Sequence, residues 1–150
     1  MKSIVATAVL ALALTGAAHA DPAGEARALY DRFVAAENAN DFDAVRSVLL
    51  DSPQFLWVTN GLSIWGREAA VRRMTDYHTA EVWHIQPENA RAVAVEVSPA
   101  ASFLHVPLEL SVGSKADGPD HFHFLVSALC VATPQGWRIA ALFTTMENRD

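Results

Sequence analysis

The chain has 150 residues, 51% of them hydrophobic and 19% charged, and 17 acidic residues against 11 basic ones give a net charge of −6. This length and composition predict one globular domain and exclude a mainly disordered chain. A negative surface repels phosphate groups and anionic lipids, so neither nucleic acid nor a membrane surface is expected as a partner. The single cysteine, Cys130, excludes an internal disulfide.

The first twenty residues have the pattern of a secretory signal peptide. Lys2 supplies a positive charge, an apolar run covers residues 4–14, and Ala18-His19-Ala20 offers the small residues of a cleavage site. The run is shorter than the roughly 20 residues that a transmembrane helix needs. We therefore expect a periplasmic or secreted protein whose mature domain covers residues 21–150.

Two helices are predicted at the start of the mature chain, over residues 23–38 and 42–50. In the first, Leu29, Phe33 and Glu37 recur at intervals of four residues and therefore share one face. Asp41 can cap the second helix because its side chain can accept a hydrogen bond from the first helical turn.

A hairpin and a third helix follow. Asn60-Gly61 separates two short apolar strands at residues 55–59 and 62–65, which is a strong hairpin signal. The third helix is predicted over residues 67–78, with Met74 and either Tyr77 or His78 facing inward. The rest of the chain predicts strands separated by turn residues, at residues 82–85, 91–97, 102–112, 121–132 and 137–146. Helices followed by a long antiparallel sheet indicate an α+β fold.

Three segments resemble the nuclear transport factor 2-like (NTF2-like) superfamily. Residues 33–43 are similar to the opening helix and turn of its ketosteroid-isomerase-like and SnoaL-like members. Residues 65–70 are similar to the start of their third helix, and residues 136–142 resemble the last strand of SgcJ/EcaC-type members. The resemblance implies a cone-shaped, curved antiparallel sheet wrapped around N-terminal helices, the cystatin-like topology, with one internal pocket.

The segment Pro119 to Phe124 is similar to the strand that carries a protonated aspartate in ketosteroid isomerases, and Asp120 stands at that position. Two other positions depart from the pattern. Phe33 stands where the family has a tyrosine donor, and Trp57-Val58-Thr59 offers no carboxylate where the family has its base. Steroid isomerisation by the family's route is therefore not expected.

The residues expected to face the pocket are mainly apolar, as is usual for a small-molecule site. Glu37 and Asp120 are the expected carboxylates, and two such groups in an apolar cavity tend to take different protonation states. Tyr77 and His78 are further acid–base candidates. The expected ligand contacts are Phe33, Trp57, Met74, Val106, Phe122 and Phe143.

Two functions remain open at this point. The chain is an exported protein that binds an apolar small molecule without turnover, or it is a cofactor-independent isomerase, cyclase, dehydratase or hydrolase that uses Glu37 and Asp120. The fold alone cannot decide between them, because one fold hosts both kinds of protein. No cofactor is expected for either function.

The histidines offer a metal alternative. His121 and His123 lie on the same face of one predicted strand and His105 on the neighbouring strand, an arrangement that a zinc ion could use. If Asp120 faces the pocket, however, strand alternation turns His121 and His123 to the outer face. We therefore expect no metal site and predict instead a two-fold homodimer through the outer face of the sheet.

Overall fold

A computed structural model describes residues 21–149, so the predicted signal peptide lies outside the described residues. Three helices, α1 (Pro22–Asn38), α2 (Phe42–Val48) and α3 (Arg67–Tyr77), occupy the positions that the apolar periodicity predicts. Asp21 and Asp41 cap α1 and α2, because each side chain accepts a hydrogen bond of 3.0 Å from a backbone N–H of the first turn. Within residues 21–149, no helix has the length and apolarity needed to cross a membrane.

Seven strands form one curved, open sheet, which confirms the predicted α+β class. The strands are β1 (Leu56–Thr59), β2 (Leu62–Trp65), β3 (Val82–Pro87), β4 (Val93–Ser98), β5 (Ala101–Ser114), β6 (Gly118–Thr133) and β7 (Gly136–Met146). Their order is β2-β1-β7-β6-β5-β3, and β4 also pairs with β5. All pairs are antiparallel except β1 with β7, which is parallel.

The helices cover one face of the sheet and bury most of the core. Helix α1 packs against β3, β4, β5 and β7. Cys130 is fully buried on β6, and burial raises the pKa of its thiol to about 12. The thiol is therefore protonated and inert at neutral pH, as its apolar sequence context predicts.

Asn38, the last residue of α1, fixes β3 to the helix. Its side-chain amide donates a hydrogen bond of 2.9 Å to the carbonyl of Ile85, and its side-chain oxygen accepts one of 2.7 Å from the backbone N–H of Ile85. These two bonds satisfy a backbone donor and acceptor that would otherwise be partly buried without partners.

A β-bulge in β7 changes which residues face the helices. Cys130 pairs with Ile139 and Leu129 pairs with Ala141, so Ala140 is an extra residue on the β7 side. Simple alternation from Ile139 predicts that Phe143 faces inward. The extra residue reverses the alternation, so Leu142 is buried and Phe143 is 40% exposed.

Candidate functional site

A cavity of about 440 Å³ lies between the helices and the concave face of the sheet. This volume lies in the range of small-molecule sites, and most of the wall is apolar. The wall is formed by Tyr30, Phe33, Glu37, Trp57, Thr59, Asn60, Met74, Tyr77, Trp83, Ile85, Leu108, Leu110, Val112, Phe122, Phe124, Val126, Leu142, Thr144 and Met146.

Six residues expected at the pocket from the sequence lie on this wall. They come from α1, α3, β1 and β6, so the fold gathers them from distant parts of the chain: Phe33, Glu37, Trp57, Met74, Tyr77 and Phe122. Trp57 is held by a hydrogen bond of 3.2 Å that its indole N–H donates to Thr144 Oγ1. Trp65, in contrast, is 59% exposed and lies away from the cavity.

Four expected residues do not line the cavity: Phe143, Val106, Asp120 and His78. Phe143 points to the outer face because of the bulge at Ala140. Val106 faces inward but lies deeper in the core, where it borders a separate cavity of about 230 Å³. Asp120 is exposed near the start of β6, opposite Val112. Strand alternation places Asp120 on the same side as Phe122, but β5 and β6 extend further than the sequence suggested, and Asp120 lies beyond the cavity wall.

The structure therefore does not pair Glu37 with Asp120 across the cavity. The partner of Glu37 is His78, which lies just after α3. Its ring Nε2 is 2.6 Å from Glu37 Oε2, and the two side chains are only 2% and 4% exposed. Glu37 belongs to the cavity wall, whereas His78 lies behind it.

Asn40 determines which nitrogen of His78 carries a proton. Its side-chain oxygen is 2.6 Å from His78 Nδ1, and an amide oxygen can only accept a hydrogen bond, so Nδ1 is the donor. One further proton lies between Nε2 and Glu37 Oε2, either on the ring as an ion pair or on the carboxyl group. A short bond of this kind is typical of charge-assisted pairs.

Aromatic rings hold the His78 imidazole in place. Trp83 packs on it with ring centroids 4.0 Å apart, and Phe42 meets its edge at 4.9 Å. The ring can therefore rotate little, and its two nitrogens keep their partners. The cluster combines Glu37 from α1, Phe42 from α2, His78 directly after α3 and Trp83 from β3. Its geometry therefore depends on the whole helical layer.

Tyr30 is a wall residue that the sequence reasoning missed. Burial raises the pKa of its hydroxyl well above the usual range, and the negative charges of Glu37 and Asp31 add to the increase. The hydroxyl therefore stays neutral and can donate a hydrogen bond. The signal was present in the sequence, since Tyr30, Phe33 and Glu37 are spaced at three and four residues and share one helix face.

The histidines of the outer face do not contribute to the cavity. His121 Nδ1 lies 2.9 Å from Glu109 Oε1, and His105 Nδ1 lies 3.1 Å from Ser127 Oγ. Within the described chain, the group with ligand atoms close enough for a metal ion is Glu88, His123 and Glu147. Arg91 and Arg149 pair with both of these carboxylates, so the arginines already balance the charge that a cation would need.

A sequence profile of the SnoaL-like domain matches residues 26–142, and the chain belongs to this family. The resemblance to the NTF2-like superfamily is thereby confirmed, whereas the SgcJ/EcaC subtype stays a prediction. No curated protein matches the chain significantly.

Solved structures share the fold at low sequence identity. One is an uncharacterised protein with a cystatin-like fold from Caulobacter vibrioides, with 20% identity, a TM-score of 0.74, and coverage of 87% of this chain and 93% of that one. A candidate dehydratase of the NTF2-like family from Streptomyces avermitilis has 13% identity, a TM-score of 0.75 and coverage of 85% and 98%. A candidate scytalone dehydratase from Novosphingobium aromaticivorans has 8% identity, a TM-score of 0.72 and coverage of 83% of each chain.

The role of Asn40 can be tested with a matched pair of glycine variants. Asn40 and Asn60 both have a left-handed backbone, with φ of 54° and 48°, which glycine adopts without strain. Asn40→Gly removes the acceptor for His78 Nδ1, whereas Asn60→Gly makes the same change at an exposed turn residue of the cavity wall. We expect Asn40→Gly to be less stable than Asn60→Gly by about 1 kcal/mol, the usual net contribution of one hydrogen bond.

The measurements are chemical denaturation of both variants and ¹⁵N NMR of the His78 ring. In the unchanged protein the ring should carry a slowly exchanging proton on Nδ1, and Asn40→Gly should make that proton exchange faster. Equal stabilities together with an unchanged ring spectrum would show that Asn40 does not orient His78.

Proposed function

We propose that this SnoaL-like protein binds an apolar small molecule in the cavity between its helices and its sheet. The main support for the proposal is the cavity wall. Aromatic and aliphatic side chains enclose about 440 Å³, and the wall also contains one buried carboxylate, that of Glu37. A wall that is mostly apolar with few polar groups gives affinity through burial and orientation through hydrogen bonds. The family and the fold agree with this class of function.

A second candidate function is proton transfer on the bound molecule, of the isomerase or dehydratase type. It is favoured by the Glu37–His78 pair, since a carboxylate and an imidazole that share one proton can both take up and return a proton. In an isomerisation, Glu37 would accept a proton from a carbon next to a carbonyl and return it to another carbon. No oxidant or cofactor is needed for that exchange. Two of the similar structures are candidate dehydratases, which agrees with the proposal.

The compound 2-tetralone tests both functions, because it is apolar, fits the cavity volume and has acidic hydrogens next to its carbonyl. We expect the protein to bind it and to speed the exchange of its C1 hydrogens with D₂O. Glu37→Gln should keep binding but lower the exchange rate by about 10²- to 10⁴-fold, the usual contribution of an acid–base group. Calorimetry measures the binding, and ¹H NMR measures the exchange.

Two further variants serve as comparisons. Leu110→Trp places a larger side chain in the cavity and should weaken binding at least about 10-fold. Glu25→Gln makes the same chemical change as Glu37→Gln at an exposed site in the first turn of α1, and should change neither readout. Binding with no acceleration of exchange would remove the catalytic candidate and leave the binding function. No binding at all would contradict both.

We also propose that two copies associate through the outer face of the sheet. Val93, Val95 and Val97 on β4 are each more than half exposed, and Phe103 and Phe143 are 38% and 40% exposed. Val95 pairs with Phe103 across β4 and β5, whereas the row from Val93 to Phe143 passes through the polar pair His105 and Ser127. The cluster of exposed apolar side chains formed by the β4 valines and Phe103 is of the kind that marks an interaction site.

For the dimer, we expect sedimentation analysis at micromolar concentration to give twice the mass of one chain. Val95→Glu should shift the equilibrium to single chains, because it would bury two charges at the interface. Leu62→Glu is the control, because Leu62 is also exposed, at 47%, but lies on β2 away from this face. A single-chain mass for the unchanged protein would rule out the interface.

We propose that the protein is exported and cleaved after Ala20, on the basis of the sequence pattern of residues 1–20. When the whole chain is produced in a Gram-negative bacterium, we expect the protein in the periplasmic fraction. Its measured mass should equal that of residues 21–150. Ala20→Arg should block cleavage, because the site requires small residues, whereas Asp21→Asn should be cleaved normally. Recovery of the whole chain from the cytoplasm would contradict the proposal.

A further inference from the structure

One corner of the cavity wall contains two buried polar atoms that have no hydrogen-bond partner within residues 21–149. They are the indole Nε1 of Trp83 and the Oε1 of Glu37. Buried polar groups in folded proteins are nearly always paired, so each such atom needs an explanation. Both residues belong to the wall, so a molecule in the cavity could supply the missing partners.

The two atoms have opposite hydrogen-bonding character. An indole N–H can only donate, whereas the free carboxylate oxygen of Glu37 accepts. They also belong to one cluster, because Trp83 packs on the His78 ring at 4.0 Å and that ring is bonded to the other oxygen of Glu37. A ligand group that both accepts and donates would satisfy the pair.

The rest of the wall limits what else the ligand can carry. Beyond this corner it is mainly aromatic and aliphatic, from Phe33 on α1 to Leu142 on β7. Within residues 21–149, the wall includes no lysine or arginine that could balance a ligand carboxylate or phosphate, and burial would add the cost of removing such a group from water. Tyr30, which stays neutral, adds a second possible donor near Glu37.

We infer that the natural ligand is an uncharged, largely apolar molecule with a hydroxyl group, whose oxygen accepts from Trp83 and whose hydrogen is donated to Glu37. This inference rests on the proposed binding function and specifies its ligand class. A phenol or an alcohol on a ring skeleton has both properties, whereas an ether can only accept and a hydrocarbon offers neither. Trp83 is thus a specificity residue rather than only part of the wall.

Three probes of nearly equal shape test the inference by calorimetry: naphthalene, 2-methoxynaphthalene and 2-naphthol. We expect 2-naphthol to bind more tightly than naphthalene by about 10-fold or more, with 2-methoxynaphthalene in between, since each hydrogen bond changes affinity by about 3- to 10-fold. The comparison needs only the unchanged protein, so it does not depend on whether a variant folds.

Two variants then test which side chain makes each hydrogen bond to the ligand oxygen. Trp83→Phe should remove the advantage of 2-methoxynaphthalene over naphthalene, and Glu37→Gln should reduce the advantage of 2-naphthol over 2-methoxynaphthalene. Each variant is judged by the ratios of its own three affinities, so a change in its affinity for naphthalene does not affect the test, and binding of naphthalene shows that the cavity is intact. Trp65→Phe, at an exposed tryptophan away from the cavity, is the matched control and should change none of these ratios.

The outcomes separate this inference from the function on which it rests. If naphthalene binds and 2-naphthol binds no more tightly, the hydroxyl inference is wrong while the apolar binding function stands. If none of the three probes binds, both are contradicted. If the order of affinities holds but neither variant changes it, Trp83 and Glu37 are not the groups that recognise the oxygen, and the inference is likewise overturned.

Discussion

The end of α1 is the point on which the rest of the architecture depends. Glu37 and Asn40 both form hydrogen bonds to His78, the residue that follows α3. Between them in the chain, Asn38 makes two hydrogen bonds to the backbone of Ile85 on β3. These contacts fix the helical layer to the sheet at one end, while the curvature of the sheet keeps the two layers apart further along. A space remains between them that the side chains do not fill. The cavity therefore follows from how α1 is anchored, and the polar corner is a product of the same anchor.

Much of the fold was predictable because its signals are local. The apolar periodicity of Leu29, Phe33 and Glu37 predicts α1 and the face it buries, and Asn60-Gly61 predicts the first hairpin. Alternation along β6 correctly predicts that Phe122 faces the cavity and that His123 does not. Each of these features is decided by residues a few positions apart, so tertiary contacts had little opportunity to override them.

The errors share a different cause, since each involves contacts between distant parts of the chain. One inserted residue, Ala140, reverses the orientation of the end of β7, and the segment from Trp137 to Met146 contains no glycine or proline that would reveal a bulge. Asp120 has the correct orientation but lies too near the hairpin end, because the length of a strand pair depends on both strands. The pairing of Glu37 with His78 could not be read from the sequence, since it depends on how α3 lies against α1. Sequence reasoning found both residues but assigned Glu37 the wrong partner.

The parallel pairing of β1 with β7 has a consequence for the order in which the molecule forms. Trp57 and Thr144, which meet across this pair and both line the cavity, are 87 residues apart in the chain. Contacts between such distant positions slow folding, because a long loop must close before the contact is gained. The cavity wall is incomplete until β7 has been synthesised and has joined the sheet, so a nascent chain that lacks its last strand has no enclosed site.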